Sequence, residues 1–355
     1  MLIIQIYKSK YILILMIIFF ILIQIINACN INLDCSLNGE CSNNKCSCDK
    51  QWKGSKCNIL DFEPYNISKG YHNKSYASWG GNVIYHNNKY HLFVSQITDH
   101  LDLSHWGTNS EIIRAESDYF DGPFEMKQII LKPFAHNPSI HKYNNKFILF
   151  YITSPQVYNN ITNNIKYIES YNLYNWSESY YTLFNDNLNN YHVNPAPLID
   201  NNTIYLAYQT GTKNKKDIIG LSKKNNNSFN FINYLTKYNE LCIAGMEEDP
   251  FIWKSKRGYH MISHGMCPSG VYQSRYHYSL DLINWYQSDK QPYYYLIKLN
   301  NDKYKLFYRM ERPKMIFDKN NNLVGLSTSV CDNNFNTCNL QQKGMTYTII
   351  RKLKI

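Results

Sequence analysis

Residues 247–264 read EEDPFIWKSKRGYHMISH, and the same pattern of residue types returns at four other places in the chain. In each copy a polar residue precedes Pro or an apolar residue, and a short apolar run, a polar turn and an aromatic-rich run follow. Each copy predicts two strands joined by a tight turn, because Asn and Gly adopt the left-handed backbone that such turns need. The other copies are GGNVIYHNNKYHLFVS at 80–95, AHNPSIHKYNNKFILFYI at 135–152, VNPAPLIDNNTIYLAYQ at 193–209 and ERPKMIFDKNNNLVGLST at 311–328.

The five copies are regularly spaced. Aligned on the residue before Pro or its equivalent, they fall at Asn82, Asn137, Asn194, Asp249 and Arg312, which are 55, 57, 55 and 63 residues apart. A period of this length, with strands and turns but no helical stripe, indicates a propeller blade. The sequence therefore predicts a mainly β chain with a five-bladed β-propeller over residues 58–355. Because the inner strand of each blade begins at the central channel, the aligned residues should ring one mouth of it.

Composition supports a globular, strand-rich protein. Charged residues make up 18% of the 355 residues and aromatic residues 15%, with 32 Tyr. The formal charge is +10, but no dense basic block occurs apart from the last residues, Arg351 to Lys354. This distribution argues against a nucleic-acid partner.

The N-terminus has the features of a secretion signal. Lys8 and Lys10 precede an apolar run at 11–23 (YILILMIIFFILI), which is shorter than the roughly 20 residues that span a bilayer. Residues 1–28 are therefore predicted to be a cleaved signal peptide or, alternatively, an uncleaved anchor. Either way the remainder is expected outside the cell or at its surface. Six Asn-x-Ser/Thr sequons then predict a glycoprotein; they begin at Asn66, Asn73, Asn160, Asn175, Asn201 and Asn226.

The ten cysteines fall into two groups. Six lie within residues 29–57, a segment too short to bury a core of its own, for which disulfides are the usual substitute. Six cysteines allow 15 pairings, and spacing alone does not choose among them. The remaining four predict Cys242–Cys267 and Cys331–Cys338, each across a loop. The absence of CxxC and His-x-x-His spacings argues against zinc, and no metal or cofactor is predicted.

The spacing of the first six cysteines, with Trp52 and Gly54 between the last two, closely resembles an EGF-like domain at residues 29–57. The resemblance implies a small two-stranded fold with pairs Cys29–Cys41, Cys35–Cys46 and Cys48–Cys57. Calcium-binding members carry acidic residues before the first cysteine, where this chain has Ile25, Ile26 and Asn27. No calcium site is therefore expected. The module is interpreted as a spacer or as a docking site for another extracellular protein.

The five repeats resemble the propeller of family 43 glycoside hydrolases and their relatives over roughly residues 75–330. The resemblance implies an Asp base in the first blade, an Asp modulator in a later blade and a Glu acid in a Glu-x-Pro segment. Glu248-Asp249-Pro250 matches that segment, which makes Glu248 the candidate acid. Asn82 and Asn194 stand where the base and the modulator are expected, and an amide cannot accept a proton at a useful pKa.

Two functions therefore remain open. Either the protein is a glycoside hydrolase in which another group replaces the missing base, or it is an inactive glycan-binding or adhesion protein. The candidate bases are His136, which is the preferred one, Asp249, Glu311, Asp99, His100 and His264. A third hypothesis makes the EGF-like module the important contact and the propeller its scaffold. In either glycan hypothesis amides and charged groups would hydrogen-bond hydroxyls, Arg312 would orient an acidic sugar or a hydroxyl pair, and an aromatic ring would pack on a sugar face. The residues proposed for substrate contact are Asn82, Asn137, Asn194, Trp106, His264, Glu311 and Arg312.

Overall fold

The computed structural model describes residues 29–153, 165–185, 191–212, 215–236, 247–265, 273–331 and 346–355. Residues 1–28, the sequon at Asn160 and the predicted pair Cys242–Cys267 lie outside the described residues. Cys331 is disulfide-bonded, and its predicted partner Cys338 also lies outside them. Within the described part the chain forms a disulfide-rich EGF-like module followed by a five-bladed β-propeller, as the sequence predicts.

The EGF-like module consists of short strands held by three disulfides. A 3₁₀ turn at Asn32–Cys35 precedes a hairpin, and a second small pair of strands closes the module. The disulfides join Cys29 to Cys41, Cys35 to Cys46 and Cys48 to Cys57, which confirms all three pairs. The strands are β1 (Gly39–Ser42), β2 (Lys45–Cys48), β3 (Trp52–Lys53) and β4 (Ile59–Leu60).

The blades follow in chain order. Blade 1 contains β5 (Ser78–His86), β6 (Lys89–Ile97), β7 (Ser110–Ser117) and β8 (Glu125–Leu131); a 3₁₀ turn, Leu103–His105, and a short helix α1 (Trp106–Asn109) lie between β6 and β7. Blade 2 contains β9 (Ala135–Tyr143), β10 (Lys146–Thr153), β11 (Ile165–Ser170) and β12 (Tyr180–Tyr181). Blade 3 contains β13 (Leu183–Asn185), β14 (His192–Asp200), β15 (Thr203–Thr212), β16 (Lys215–Asn225) and β17 (Ser228–Tyr234).

Blade 4 contains β18 (Glu247–Lys254), β19 (Tyr259–Gly265), β20 (Gln273–Ser279) and β21 (Trp285–Gln287). A separate hairpin of β22 (Leu296–Lys298) and β23 (Tyr304–Leu306) precedes blade 5, which contains β24 (Arg309–Phe317), β25 (Leu323–Cys331) and β26 (Thr346–Lys352). Neighbouring strands within the blades are antiparallel, except that β13 pairs in parallel with β17. The inner strands are β5, β9, β14, β18 and β24.

The turns between the first two strands of the blades match the sequence prediction. Asn87, Asn88, Asn144 and Asn201 all have a left-handed backbone with φ between 46° and 60°. Asn tolerates this conformation better than most residues, because its short polar side chain can hydrogen-bond locally. These turns therefore fix the register of the hairpins that begin blades 1, 2 and 3.

The N-terminal segment of the propeller closes the ring. Tyr71 bridges Thr348 and Phe62 bridges Leu353, so that the segment before blade 1 runs along the outer strand of blade 5. Apolar side chains fill the spaces between blades. Between blades 5 and 1, for example, Val83 and Ile113 lie in one buried cluster with Ile350. Closure and inter-blade packing together hold the inner strands around the channel.

The EGF-like module packs against blade 4 and is not a detached spacer. The Trp52 and Tyr276 rings lie 5.0 Å apart, and both belong to a buried cluster that includes Leu60 and Trp253. Asn38 Nδ2 donates a hydrogen bond of 2.8 Å to the Tyr276 hydroxyl. The interpretation of the module as a spacer is therefore wrong, because it shares its core with the propeller. No helix among the described residues is long and apolar enough to cross a membrane.

Candidate functional site

Each inner strand contains a bulge at the same place. There the pairing with the second strand skips two residues, the first of which has a left-handed backbone with φ between 52° and 75°. These bulge residues are Gly80, Asn137, Asn194, Asp249 and Arg312. Four of them are the residues aligned from the sequence. In blade 1 the alignment is wrong by two positions, because Gly80-Gly81 contains neither Asn nor Pro and Asn82 was aligned in its place.

Asn82 itself lies in the regular part of β5. It pairs with Phe93, is buried, and accepts a hydrogen bond of 2.8 Å from the Ile140 amide through Oδ1. This contact joins blade 1 to blade 2 below the bulge. Asn82 is therefore a link between blades rather than a member of the ring.

The side chains of the bulge residues are joined by hydrogen bonds around the channel. Asn137 Nδ2 donates to Asn194 Oδ1 at 3.0 Å, and Asn194 Nδ2 donates to Asp249 Oδ1 at 2.8 Å. On the other side Arg312 forms an ion pair with Asp249. Gly80 completes the set: a Cβ placed on it would lie 3.1 Å from Asn137 Oδ1 and 3.8 Å from Arg312 Cγ. We call these five residues the bulge ring.

Hydroxyl groups from the second strands support the backbone of the ring. The Gly80 amide donates to Ser329 Oγ at 2.5 Å, and the Asn137 amide donates to Ser95 Oγ at 2.8 Å. Sequence reasoning missed both serines. Each follows from counting across its hairpin from the bulge, because Ser95 pairs with Trp79 and Ser329 with Glu311. In blades 1 and 5 the sequence of the second strand therefore identifies the supporting serine once the bulge is located.

The residue before each bulge lies at the mouth beside the ring, and in blades 4 and 5 it is a glutamate. Glu248 pairs across the sheet with His264, and His264 Nδ1 lies 3.1 Å from Glu248 Oε1. Glu248, Asp249, His264 and Glu311 each place one nitrogen or oxygen within 4.8 Å of the others. Of the three carboxylates Glu248 is the most accessible, with 20% of its side chain exposed against 1% for Asp249 and 7% for Glu311.

These contacts determine where the protons lie. Burial opposes a charge on His264, but the carboxylates of Glu311 and Glu248 raise the pKa of its imidazole above the ordinary value. Burial would likewise raise the pKa of Glu248, yet the hydrogen bond and charge of His264 lower it. At neutral pH Glu248 is therefore an ionised carboxylate. Burial raises the pKa of Asp249, although the Arg312 guanidinium opposes this effect.

The four-group cluster could offer donors to a metal ion, but its charges are already balanced within the chain. Arg312 forms an ion pair with Asp249, and protonated His264 donates a hydrogen bond to Glu248. A cation would have to displace both interactions. The arrangement is better described as a hydrogen-bonded charge cluster.

His136 lies at the mouth in a different environment. It is buried, its Nδ1 lies 2.8 Å from Ser110 Oγ, and its ring lies 5.2 Å from that of Trp106. Burial, with a further contribution from the Arg312 charge, lowers the pKa of His136 well below the ordinary value. The imidazole is therefore neutral and packed against the α1 loop. Trp106 lies beside His136 and is partly buried.

Gln209 and Arg309 are two further neighbours of the site that sequence reasoning missed. Gln209 Oε1 accepts a hydrogen bond of 2.5 Å from Asn194 Nδ2. Arg309 Nη1 lies 3.6 Å from Glu311 Oε1, and its charge helps to lower the pKa of Glu248. Both lie within strands, so that only their pairing with the neighbouring strand reveals their proximity to the mouth.

The EGF-like module and the propeller each resemble known proteins, and the two likenesses come from different comparisons. The family model described as a Teneurin-like EGF domain matches residues 31–60. No curated protein matches the sequence. The solved structures that resemble it include family 43 glycoside hydrolases, at identities that show a common fold alone.

Three of these structures illustrate the likeness. A thermostable family-43 glycoside hydrolase is 15% identical with a TM-score of 0.58, over 80% of this chain and 93% of that protein. The Bacteroides ovatus xyloglucan PUL protein GH43B is 10% identical with a TM-score of 0.55, over 79% of this chain but only 54% of its own length. An alpha-L-arabinofuranosidase from Lactobacillus brevis is 11% identical with a TM-score of 0.54, over 82% and 92%.

Proposed function

We propose that the mouth of the propeller binds a glycan without hydrolysing it by the inverting mechanism of family 43. The observation that carries this proposal is the composition of the bulge ring. The resemblance expects carboxylates in the first blade and in a later blade, and this ring has Gly80 and Asn194 there. Neither residue can take a proton from water.

The spacing of the carboxylates that are present supports the same conclusion. Inverting hydrolysis needs two carboxyl groups roughly 6.5–9.5 Å apart, with a water molecule between one of them and the sugar. In this chain Glu248, Asp249 and Glu311 cluster within 4.8 Å of one another on one side of the mouth. Gly80 and Asn137, the bulge residues of blades 1 and 2, provide no carboxylate.

The protonation of Glu248 also favours binding over proton donation. A general acid must carry its proton at the working pH, which usually requires a raised pKa. Here the neighbouring His264 lowers the pKa of Glu248. An ionised carboxylate is a strong acceptor for sugar hydroxyls. The Trp106 ring, which lies beside His136, provides an aromatic surface of the kind that packs on sugars.

Hydrolysis with Glu248 as the acid is the second candidate function. The position of Glu248 in a Glu-x-Pro segment at the mouth favours it, as does the partial exposure of its side chain. In that case His264 would have to transfer its proton through Glu248 to the leaving oxygen. His136 and Asp249, the alternative bases, are both almost fully buried.

We place the protein outside the cell or at its surface. Three disulfides within 29 residues are typical of secreted and cell-surface modules, because the cytosol keeps thiols reduced.

The test measures binding and product release together on one panel of arabinans, xylans and xyloglucans. The proposal expects a panel member to bind with no release of reducing sugar, and expects Glu248→Ala to weaken that binding about tenfold or more. The matched control is Glu125→Ala, since Glu125 is exposed on β8 of blade 1. Sugar release that Glu248→Gln abolishes would instead establish the hydrolase. Failure of the wild type to bind any member would contradict both.

A further inference from the structure

A large recess opens at the end of the channel opposite the bulge ring. Its volume is about 1360 Å³. The far ends of the inner strands line it, including Tyr85, Lys142 and Phe317, and it extends up the channel to Asn82. Gly80 and Tyr85 are five residue steps apart along β5, or roughly 16 Å at about 3.3 Å per residue. The opening of the recess therefore lies at the other end of the channel from Glu248, while its inner end reaches Asn82, two residues from the bulge ring.

The EGF-like module forms one wall of this recess. Residues Asp49 to Trp52 and Leu37 line it beside the end of β18. Arg257 holds this wall in place through two hydrogen bonds to the Asp49 carboxylate, of 2.6 and 3.0 Å. Because the module and the propeller share a buried core, the recess is a fixed feature of their combined surface.

The rim of the recess carries more positive than negative charge. Lys50, Lys142 and Lys319 line it, are exposed, and form no ion pair within the described part of the chain. The lining also contains two carboxylates. Asp49 binds Arg257, whereas Asp318 accepts hydrogen bonds of 2.8 Å from two amides of its own turn and interacts electrostatically with Lys319. The three lysines outnumber the carboxylates, so the net charge at the opening is positive.

The interior provides hydrogen-bonding and aromatic groups. His141 lines the recess, and its Nε2 atom is buried without a hydrogen-bond partner among the described residues. Burial, with the nearby Lys314 charge, lowers the pKa of His141 to about 4, so that the ring is neutral near pH 7. The rings of Tyr85 and Phe317 are only partly buried where they line the recess. Aromatic faces pack on sugar rings.

We propose that this recess is a second glycan site, and that it binds a polysaccharide strand bearing carboxylate or sulfate groups. The lysines of the rim pair with the anionic groups, while Tyr85 and Phe317 contact the sugar rings and His141 hydrogen-bonds within the recess. Lysines alone would suit an acidic peptide as well as an acidic glycan. The exposed aromatic faces favour the glycan, because they can pack on its sugar rings. The site does not depend on the function proposed for the mouth.

The test measures binding of the full chain to polygalacturonate, dextran sulfate and neutral dextran at several salt concentrations. We expect the two acidic polymers to bind, the neutral one not to bind, and the affinity to fall as salt rises. The double variant Lys142→Ala/Lys319→Ala should bind the acidic polymers about tenfold more weakly. Lys142→Arg/Lys319→Arg should retain binding.

The matched control is Lys127→Ala/Lys303→Ala, which removes the same charge from exposed positions away from the recess. Thermal unfolding checks that every variant remains folded. Equal loss in the two double Ala variants would overturn the proposal, since the effect would then follow net charge alone. Equal affinity for poly-glutamate, lost in the same variant, would overturn the assignment to a glycan.

Discussion

The two halves of the bulge ring have the same backbone but different chemistry. In blades 4 and 5 the bulge residues are Asp249 and Arg312, which form a buried ion pair beside Glu248 and His264. In blades 1 to 3 they are Gly80, Asn137 and Asn194, which carry no charge. All five share the left-handed conformation. The propeller therefore fixes where side chains converge, whereas the sequence of each blade decides what chemistry is available there.

The largest expected difference between the halves is in stability, and Arg312→Ala tests it. Loss of the guanidinium leaves the buried Asp249 carboxylate without its cation, so we expect the free energy of unfolding to fall by about 3–5 kcal/mol. Burial raises the pKa of Asp249 to about 7, so denaturant unfolding at pH 9, where this group is ionised, measures the change. Arg312→Lys keeps the charge and should recover part of the loss. A loss below about 1 kcal/mol in the Ala variant would show that the charged half is not held by this pair.

A smaller effect is expected from the proton on His264. Because its folded pKa is raised, its contribution to stability is complete below the unfolded pKa of about 6.5 and is lost as the pH rises through the folded value. The lowered pKa of Glu248 keeps the pair charged above about pH 4.5. His264→Asn should remove about 1.5–3 kcal/mol at pH 6 and much less at pH 9. Unfolding curves at both pH values check this, and an equal loss at both would contradict the protonation assigned here.

The smallest effect is expected on the neutral half. Asn137→Ala removes the hydrogen bond to Asn194 but leaves no buried charge, so the free energy of unfolding should fall by only about 1 kcal/mol. The same unfolding assay measures it, with the exposed Asn320→Ala as control. If Asn137→Ala lowered the free energy of unfolding as much as Arg312→Ala, the stability of the ring would depend on its unbroken chain of hydrogen bonds rather than on its ion pair.

Much of the architecture could be predicted from the sequence because it depends on local patterns. The repeated strand pairs and their Asn or Gly turns indicate the five blades. The cysteine spacing indicates the EGF-like module, and the resemblance to that family implies its three pairs. Gly80 could not be placed, because a Gly-Gly bulge without Asn or Pro does not stand out in the pattern. In the other four blades a bulky or polar residue marks the bulge, and the alignment there is confirmed.

Contacts between elements that are distant in the chain could not be predicted from sequence patterns. Nothing near Asn38 indicates that it bonds Tyr276, which is 238 residues away in the chain. The module was therefore expected to be a spacer or a docking site for another protein. Likewise the protonation of Glu248 depends on His264, which is brought opposite it only by the register of β18 and β19. The motif alone therefore predicts that Glu248 lies at the mouth. Its charge state can be assigned only when the strand pairing with His264 is known.

The most direct test of the account is a crystal structure of the wild-type chain with an oligosaccharide from the panel member that binds best. The account predicts an intact oligosaccharide at the mouth, with a hydroxyl group within hydrogen-bonding distance of the Glu248 carboxylate and no carboxylate on the Gly80 side of the glycosidic bond. Cleaved sugar at the mouth, or an oligosaccharide that leaves Glu248 untouched, would contradict it.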